Sequence, residues 1–210
     1  MDLLNHIFWE QGKVAGLAIQ DGQLVMNRVQ RSTAMAGTED NKSAIAQVGE
    51  DLFSYAIDRE DIKTLVAHLP KETSCKPATV EYELQLLKII STGWSLAFFL
   101  ENNPLKGLLT EAYWKSIHEF AGSLSEATGF MTGHAIDYFQ IVKERLDTYI
   151  TTLKAKPGAP EPAAVIGPEF ARHCGNAEDV FAVLTGSRMF IMTVGRVKEY
   201  LDATGIHAAH

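Results

Sequence analysis

The sequence predicts an α+β fold, in which a five-stranded antiparallel sheet is flanked by helices and followed by an all-helical C-terminal region. Three observations support this prediction. Asp21 and Gly22 stand between two apolar runs, which is typical of a two-residue hairpin loop because glycine adopts positive φ without strain. Apolar and polar residues alternate strictly over 80–86, as in a strand with one buried face. Beyond residue 126, apolar residues recur every three or four positions, as in a helix.

The first domain is predicted to span residues 1–125. Its hairpins are separated by a helix and a short strand, and Pro70 ends that strand because proline cannot continue a hydrogen-bonded ladder. Ile45 to Ala56 carry apolar residues with a period near 3.6, which predicts the second helix. The predicted order is a helix at 2–10, a hairpin at 14–29, a helix at 41–59, a strand at 61–69, a hairpin at 80–100 with its turn at 91–93, and a helix at 102–121.

Residues 126–210 are predicted to form the helical region. A long amphipathic helix is expected over 136–153, followed by a proline-rich linker at 156–162. A short helix at 168–174 and a longer one beginning near Asn176 complete the region. Residues 181–194 leave two interpretations open, because Gly186 and Ser187 lie between apolar runs and would also suit a hairpin.

Composition, charge and cysteine spacing limit the classes of function that the sequence supports. The formal net charge is −7, and no basic stripe occurs, which argues against nucleic acid as a partner because phosphate binding needs clustered Lys and Arg. The start of the chain lacks the basic segment and apolar run of a signal peptide, and the longest uninterrupted apolar run is too short to span a bilayer. Cys75 and Cys174 show no metal-binding spacing. We therefore expect a cytoplasmic protein without membrane insertion.

Catalytic and cofactor motifs are weak. No glycine-rich phosphate loop is present, and we expect no cofactor. A metal-dependent enzyme would have to use His118, His134, His173 and Cys174, but these residues lack the i, i+4 spacing of helical metal ligands. Cys174 next to His173 is better explained as a small, partly buried cysteine near a helix end than as an activated thiol, because adjacent helical residues point in different directions.

Residues 2–121 resemble the roadblock/LC7 family, the small relatives of longin domains. The segment LLNHIFWEQGKVAGLAIQDGQLV is similar to that family's first helix and hairpin, and WSLAFFLENNPLKGLLTEAYWKSI is similar to its last strand and following helix. The resemblance implies a non-enzymatic scaffold in regulation or signalling, forming a homodimer through the edge strand and second helix. It also implies a small Ras-like GTPase or another signalling protein as partner. Trp9 and Trp114 are the expected partner contacts, because tryptophan is favoured at interfaces.

A second hypothesis assigns a different function. A small-molecule sensor of profilin-like or PAS-like fold would hold its ligand in a pocket between sheet and helices. This hypothesis predicts a ligand or cofactor that is carried through purification and is visible by mass spectrometry of the denatured protein.

Overall fold

The computed structural model describes the backbone of residues 31–206 and the side chains of residues 43–206. Over this range the chain forms seven α-helices and no strand, so the predicted α+β fold with a five-stranded sheet is wrong here. The Asp21-Gly22 hairpin lies outside the described residues. The helices are α1 (Arg31–Ile57), α2 (Glu60–Ala67), α3 (Pro77–Phe99), α4 (Lys106–Thr132), α5 (Tyr138–Ala155), α6 (Ala163–His173) and α7 (Val180–Ala203).

Helix α3 is the centre of the fold. It contacts each of the other six helices, most extensively α7. Most of its residues between Glu83 and Ala97 are buried, so it has no polar face along this stretch. A helix that is buried all round belongs in a protein core. The core of the described residues is therefore assembled around α3.

The predicted hairpin at 80–100 is wrong, since these residues belong to α3. Pro77 begins the helix at a position where its missing N–H group is harmless. The alternation over 80–86 arises because each polar side chain meets a different neighbour: Glu81 and Glu83 form ion pairs with arginines, and Gln85 donates to a backbone carbonyl. Because each is paired, polar residues are tolerated on several faces of one buried helix.

The segment interpreted as a turn, Ser91-Thr92-Gly93, is also helical. The hydroxyl groups of Thr92 and Ser95 donate to carbonyl oxygens four residues earlier, at 2.9 and 2.7 Å, which satisfies them inside the core. Gly93 lies directly against the indole ring of Trp114 on α4, where a Cβ would clash. The glycine therefore permits close helix packing rather than a turn.

The predicted edge strand at 61–69 is wrong as well, because residues 60–67 form α2. Glu60 and Asp61 lie in its first turn, where carboxylates interact favourably with the helix dipole. Ile62 and Leu65 are buried against the rest of the fold. With no strand at this position, the predicted dimer through an edge strand loses its structural basis.

Other predicted helices are confirmed. The apolar period from Ile45 to Ala56 lies within α1, which ends at Ile57, and the helix expected at 136–153 is α5. The helix expected at 102–121 begins at Lys106 and continues to Thr132, so it crosses the proposed boundary at residue 125 without a break. Residues 181–194 belong to the single helix α7, which excludes the hairpin there.

Asp179 joins the loop before α3 to the first turn of α7. Its Oδ1 accepts from the backbone N–H groups of Phe181 and Ala182 and caps α7, while its Oδ2 accepts from the backbone and hydroxyl of Ser74 at 2.6 and 2.8 Å. Burial opposes ionisation of Asp179, but the hydrogen bonds from Ala182, Ser74 and Thr73 outweigh it and hold its pKa well below the usual range. The loop before α3 is thereby fixed to the start of α7.

Candidate functional site

A cleft of about 300 Å³ opens between α3, α4 and α5, next to the connection from α1 to α2. Its lining is mainly aliphatic and aromatic. The described lining residues are Ile57, Arg59, Ala78, Glu81, Tyr82, Gln85, Leu86, Ile89, Ile117, Phe120, Ala121, Leu124, Tyr138 and Val142. A concave site of this kind between helices of a bundle is a typical location for a small ligand.

Helical spacing explains why these residues share one site. On α3 the lining positions run from Ala78 through Tyr82 and Gln85 to Ile89, at intervals of three or four, and they therefore form one face of the helix. Helix α4 contributes positions 117–124 at the same intervals, and α5 contributes Tyr138 and Val142. Three helix faces thus converge on one apolar space.

Two of the described lining residues are charged, and they are paired with each other. Nη2 of Arg59 lies 2.5 Å from Oε1 of Glu81, which joins the α1–α2 connection to the first turns of α3. The exposed side-chain fractions are 54% for Arg59 and 34% for Glu81, so the pair lies at the rim rather than at the base of the cleft. At the rim, the ion pair contributes at most about 1 kcal/mol to stability.

Uncharged polar groups complete the lining. Nε2 of Gln85 donates to the carbonyl oxygen of Ala56 at 2.7 Å, so its side-chain oxygen is the part able to accept from a ligand. The hydroxyl group of Tyr138 lies 3.3 Å from Oγ1 of Thr128. Burial, followed by the nearby Glu83 and Tyr138, raises the pKa of Tyr82, so its phenol is a neutral donor and acceptor.

A buried ion pair holds α5 against α3 beside the cleft. Both carboxylate oxygens of Glu83 accept from Arg145 at 2.9 Å, in bidentate geometry. The side chain of Glu83 is only 4% exposed. A buried bidentate pair fixes the relative position of two helices more firmly than an exposed pair does, because leaving either charge unpaired is costly. This pair therefore sets the width of the cleft on the α5 side.

Four further polar side chains pack between α5 and α6, namely Tyr149, Thr152, Glu169 and His173. Glu169 is 3% exposed, with Oε1 at 3.7 Å from Nε2 of His173 and Oε2 at 3.4 Å from the hydroxyl of Thr152. Tyr149 stacks edge-on against His173, with ring centroids 5.6 Å apart. Burial first, and then Arg145, lowers the pKa of His173, so the imidazole is neutral near pH 7.

A second depression lies between α1 and α7, with Asp58 and Asp61 in its lining, and both residues contact Lys88. The ammonium group of Lys88 is fully buried and donates to the carbonyl oxygen of Asp58 at 2.9 Å and to Oδ2 of Asp61 at 3.3 Å. It also lies 4.3 Å from the ring centroid of Tyr55. These contacts satisfy the lysine within the fold, so we assign it a structural role.

The residues singled out in the sequence are distributed widely. Trp9 lies outside the described residues. Trp114 is half-buried, packs edge-on against Tyr113 and lies against Gly93, away from the cleft. As a partner contact, each tryptophan stays a prediction.

The metal and thiol candidates do not come together either. His118 and His134 are exposed on α4 and after it, whereas His173 and Cys174 lie at the end of α6. In the described part of the chain, no three His, Cys, Asp or Glu side chains converge as metal ligands. Cys174 is buried, and its burial raises the pKa of its thiol, as does the proximity of Cys75. A raised thiol pKa is the opposite of what activates a cysteine.

Sequence reasoning missed the cleft, because its main contributor was assigned to a strand. In a strand, Tyr82 and Gln85 lie on opposite faces, whereas in a helix they lie on one. The helical signal that was available is the proline at residue 77 followed by apolar residues at 80, 84 and 87.

Comparison with known proteins gives no match to a family model, to a curated protein or to a solved structure. Together with the all-helical structure of residues 31–206, this overturns the resemblance to the roadblock/LC7 family and its longin-like fold. The scaffold role and the small-GTPase partner stay predictions. The assignment of function therefore depends on the geometry of the chain itself.

One helix of the described residues, Val180–Ala203, is long and apolar enough to cross a membrane by length and composition, with a mean hydropathy of 1.4. In the fold, 33% of that apolar window is buried, and the helix packs against α6 and α3. Core helices of soluble proteins pass the same test, so this is weak evidence for a membrane. Cytoplasmic localisation stays a prediction.

Proposed function

We propose that the protein is a non-enzymatic binding protein that takes a small apolar molecule into the cleft between α3, α4 and α5. The observation that carries the proposal is the combination of a 300 Å³ cavity with a mainly apolar lining and a few polar groups at its rim. Ligand sites have this composition because apolar surface supplies affinity and sparse polar groups supply orientation.

The volume limits the size of the ligand. At about 30 Å³ for each molecule of liquid water, the cleft has room for about ten water molecules. That is the size of a bicyclic aromatic molecule or a short branched chain. A ligand of this size binds at best moderately, since affinity rises with the number of contacting atoms.

The contacts around the cleft favour binding over catalysis. Arg59 and Glu81 neutralise each other, and Gln85 is engaged with a backbone carbonyl. The buried His173 and Glu169 belong to the packing between α5 and α6 and do not line the cleft. The groups at the cleft are therefore suited to recognition by contact rather than to proton transfer or nucleophilic attack.

A matched pair of substitutions on α4 tests the proposal. Ala121 is buried and lines the cleft, so Ala121→Phe places a ring in the ligand volume, whereas Ala127 is exposed on the same helix outside the lining. Thermal shift is measured with a library of apolar fragments at about 1 mM, a concentration suited to weak ligands. Circular dichroism checks that each variant is folded, and Ala121→Leu serves if the larger residue is not tolerated.

We expect the same fragments to stabilise the wild-type protein and Ala127→Phe, and to lose their effect in Ala121→Phe. Stabilisation that survives in Ala121→Phe places the binding site elsewhere. A library with no stabilising member at all removes support for ligand binding.

The homodimer stays a prediction with a different candidate surface. Large apolar side chains are exposed where α4 ends and α5 begins, with Phe130 at 95% and Met131 at 83% exposure. Such side chains are more typical of a contact surface than of free surface. Sedimentation equilibrium at micromolar concentration tests self-association, and a monomer contradicts it.

A further inference from the structure

We infer that the ligand of the α3–α4–α5 cleft is electrically neutral: an apolar, ring-sized molecule with a single hydroxyl or similar hydrogen-bonding group, rather than a carboxylate or an amine. This inference rests on the proposed function and names the chemical class of ligand for the same site. Three features of the cleft carry it, namely the pairing of its charges, the charge balance behind its wall and the nature of its remaining polar groups.

The first feature is the ion pair at the rim. A carboxylate ligand would approach Arg59 but would meet Glu81, whose Oε1 lies 2.5 Å from the same guanidinium group. An ammonium ligand would be attracted by Glu81 but repelled by Arg59. Either ion gains one attraction and one repulsion, and it must also lose water on entering an apolar lining. A neutral molecule leaves the pair intact and avoids both costs.

The second feature is the balanced ion pair behind the wall of the cleft on the α5 side. Glu83, adjacent to the lining residue Tyr82, is neutralised by the bidentate contact with Arg145. The pairs Arg59–Glu81 and Glu83–Arg145 each sum to zero, so neither projects a net charge toward the ligand. A site that selects ions usually presents an excess of one sign.

The third feature is the set of polar groups left for recognition. Tyr82 and Tyr138 supply hydroxyl groups, and Gln85 supplies a side-chain carbonyl oxygen. Both the hydroxyls and the amide oxygen pair well with an uncharged donor or acceptor on the ligand. A site that is built for one hydrogen bond discriminates strongly against molecules that lack the group.

The experiment compares three probes of matched size: 2-naphthylmethanol, 2-naphthoate and 2-naphthylmethylammonium. Isothermal titration or ligand-observed NMR at low salt gives the three dissociation constants for the full chain. We expect the alcohol to bind more tightly than either ion, by up to about fivefold, the ratio that corresponds to disrupting one exposed ion pair. A preference for either ion overturns the inference but leaves ligand binding standing. If no probe binds, the proposed function fails.

Charge-deleting variants sharpen the test. Glu81→Gln leaves Arg59 without its carboxylate partner, so this variant should shift the preference toward 2-naphthoate. Arg59→Gln should shift it toward the ammonium probe. The control is Glu60→Gln, which breaks a more exposed pair with Lys63, at 2.7 Å and outside the cleft lining, and should change none of the three constants. If the preference is unchanged in both cleft variants, the ion pair does not control selectivity and the inference is wrong.

Discussion

Replacing Gly186 with alanine tests the packing of α7 most directly. A Cβ atom at this position would lie 2.5 Å from Cγ and Cδ1 of Phe170, a ring on α6 that is fully buried. Neither the ring nor the helix backbone has free space to move into, because protein interiors are close-packed. We therefore expect a packing cost of about 1–3 kcal/mol, the usual range for added methylene groups in a full core.

Gly195 supplies the matched control in the same helix. A Cβ there meets no atom within 4 Å, so Gly195→Ala gains the helix propensity of alanine without a clash. That gain is about 1 kcal/mol, and it applies equally to Gly186→Ala. The difference between the two variants therefore isolates the packing term, because the propensity term cancels.

Thermal and urea denaturation of the two variants measures this difference. For a chain of this length, 1 kcal/mol corresponds to about 2–4 °C in Tm, so Gly186→Ala should melt roughly 2–12 °C below Gly195→Ala. Gly195→Ala itself should melt slightly above the wild-type protein. If both substitutions raise Tm by the same amount, α6 and α7 do not approach each other at this point, and the packing derived for them is refuted.

Two further predictions concern buried polar groups. Asp179→Ala removes the N-cap of α7 and the acceptor of Ser74, so we expect a loss of about 3–5 kcal/mol in unfolding free energy. Asp179→Asn still caps and should lose less, and equal losses in the two variants would contradict the capping role. Burial and Arg145 lower the pKa of His173 below 6.5, so the unfolded chain binds a proton that the native chain does not. Stability should therefore fall as pH drops below about 6.5, more weakly in His173→Gln, and an identical pH profile for the two proteins would exclude this cause.

The sequence predicted well those helices whose apolar residues form one stripe. In α1, Ile45 to Ala56 follow a period near 3.6, and in α5 the residues from Val142 to Ile150 do the same, because each helix buries one side only. Helical character at these positions follows from local pattern alone. Neither prediction required knowledge of the neighbouring helices.

The central helix could not be predicted by the same rule. From Glu83 to Ala97 most residues of helix α3 are buried, so no solvent-facing side imposes a helical period on this stretch of its sequence. Its polar residues are placed by partners distant in sequence, such as Arg145 for Glu83, 62 residues away. Periodicity is a signal of partial burial, and it disappears where burial is complete.

Gly93 and Gly186 suited turns in the sequence but lie within helices, for a related physical reason. Gly93 follows Ser91-Thr92 and Gly186 precedes Ser187, which suits a hairpin, but both glycines permit close contact with an aromatic ring of another helix. Glycine is required wherever a backbone must come close to a neighbour, and a turn is only one such place. One sequence cannot separate the two causes, because the partner ring lies on a different helix.

The same reasoning explains why residues that line the cleft lie in the segment 80–86, which was predicted as a strand. A helix buried all round can leave a cavity only where its neighbours diverge, and α4 and α5 diverge beside the first half of α3. There the side chains of Glu81, Tyr82 and Gln85 meet an ion partner, a cavity and a carbonyl group, respectively. These demands differ from residue to residue, so the sequence alternates in polarity without any strand. The polarity pattern that predicted a strand over 80–86 is therefore a consequence of the contacts that these side chains make at the cleft.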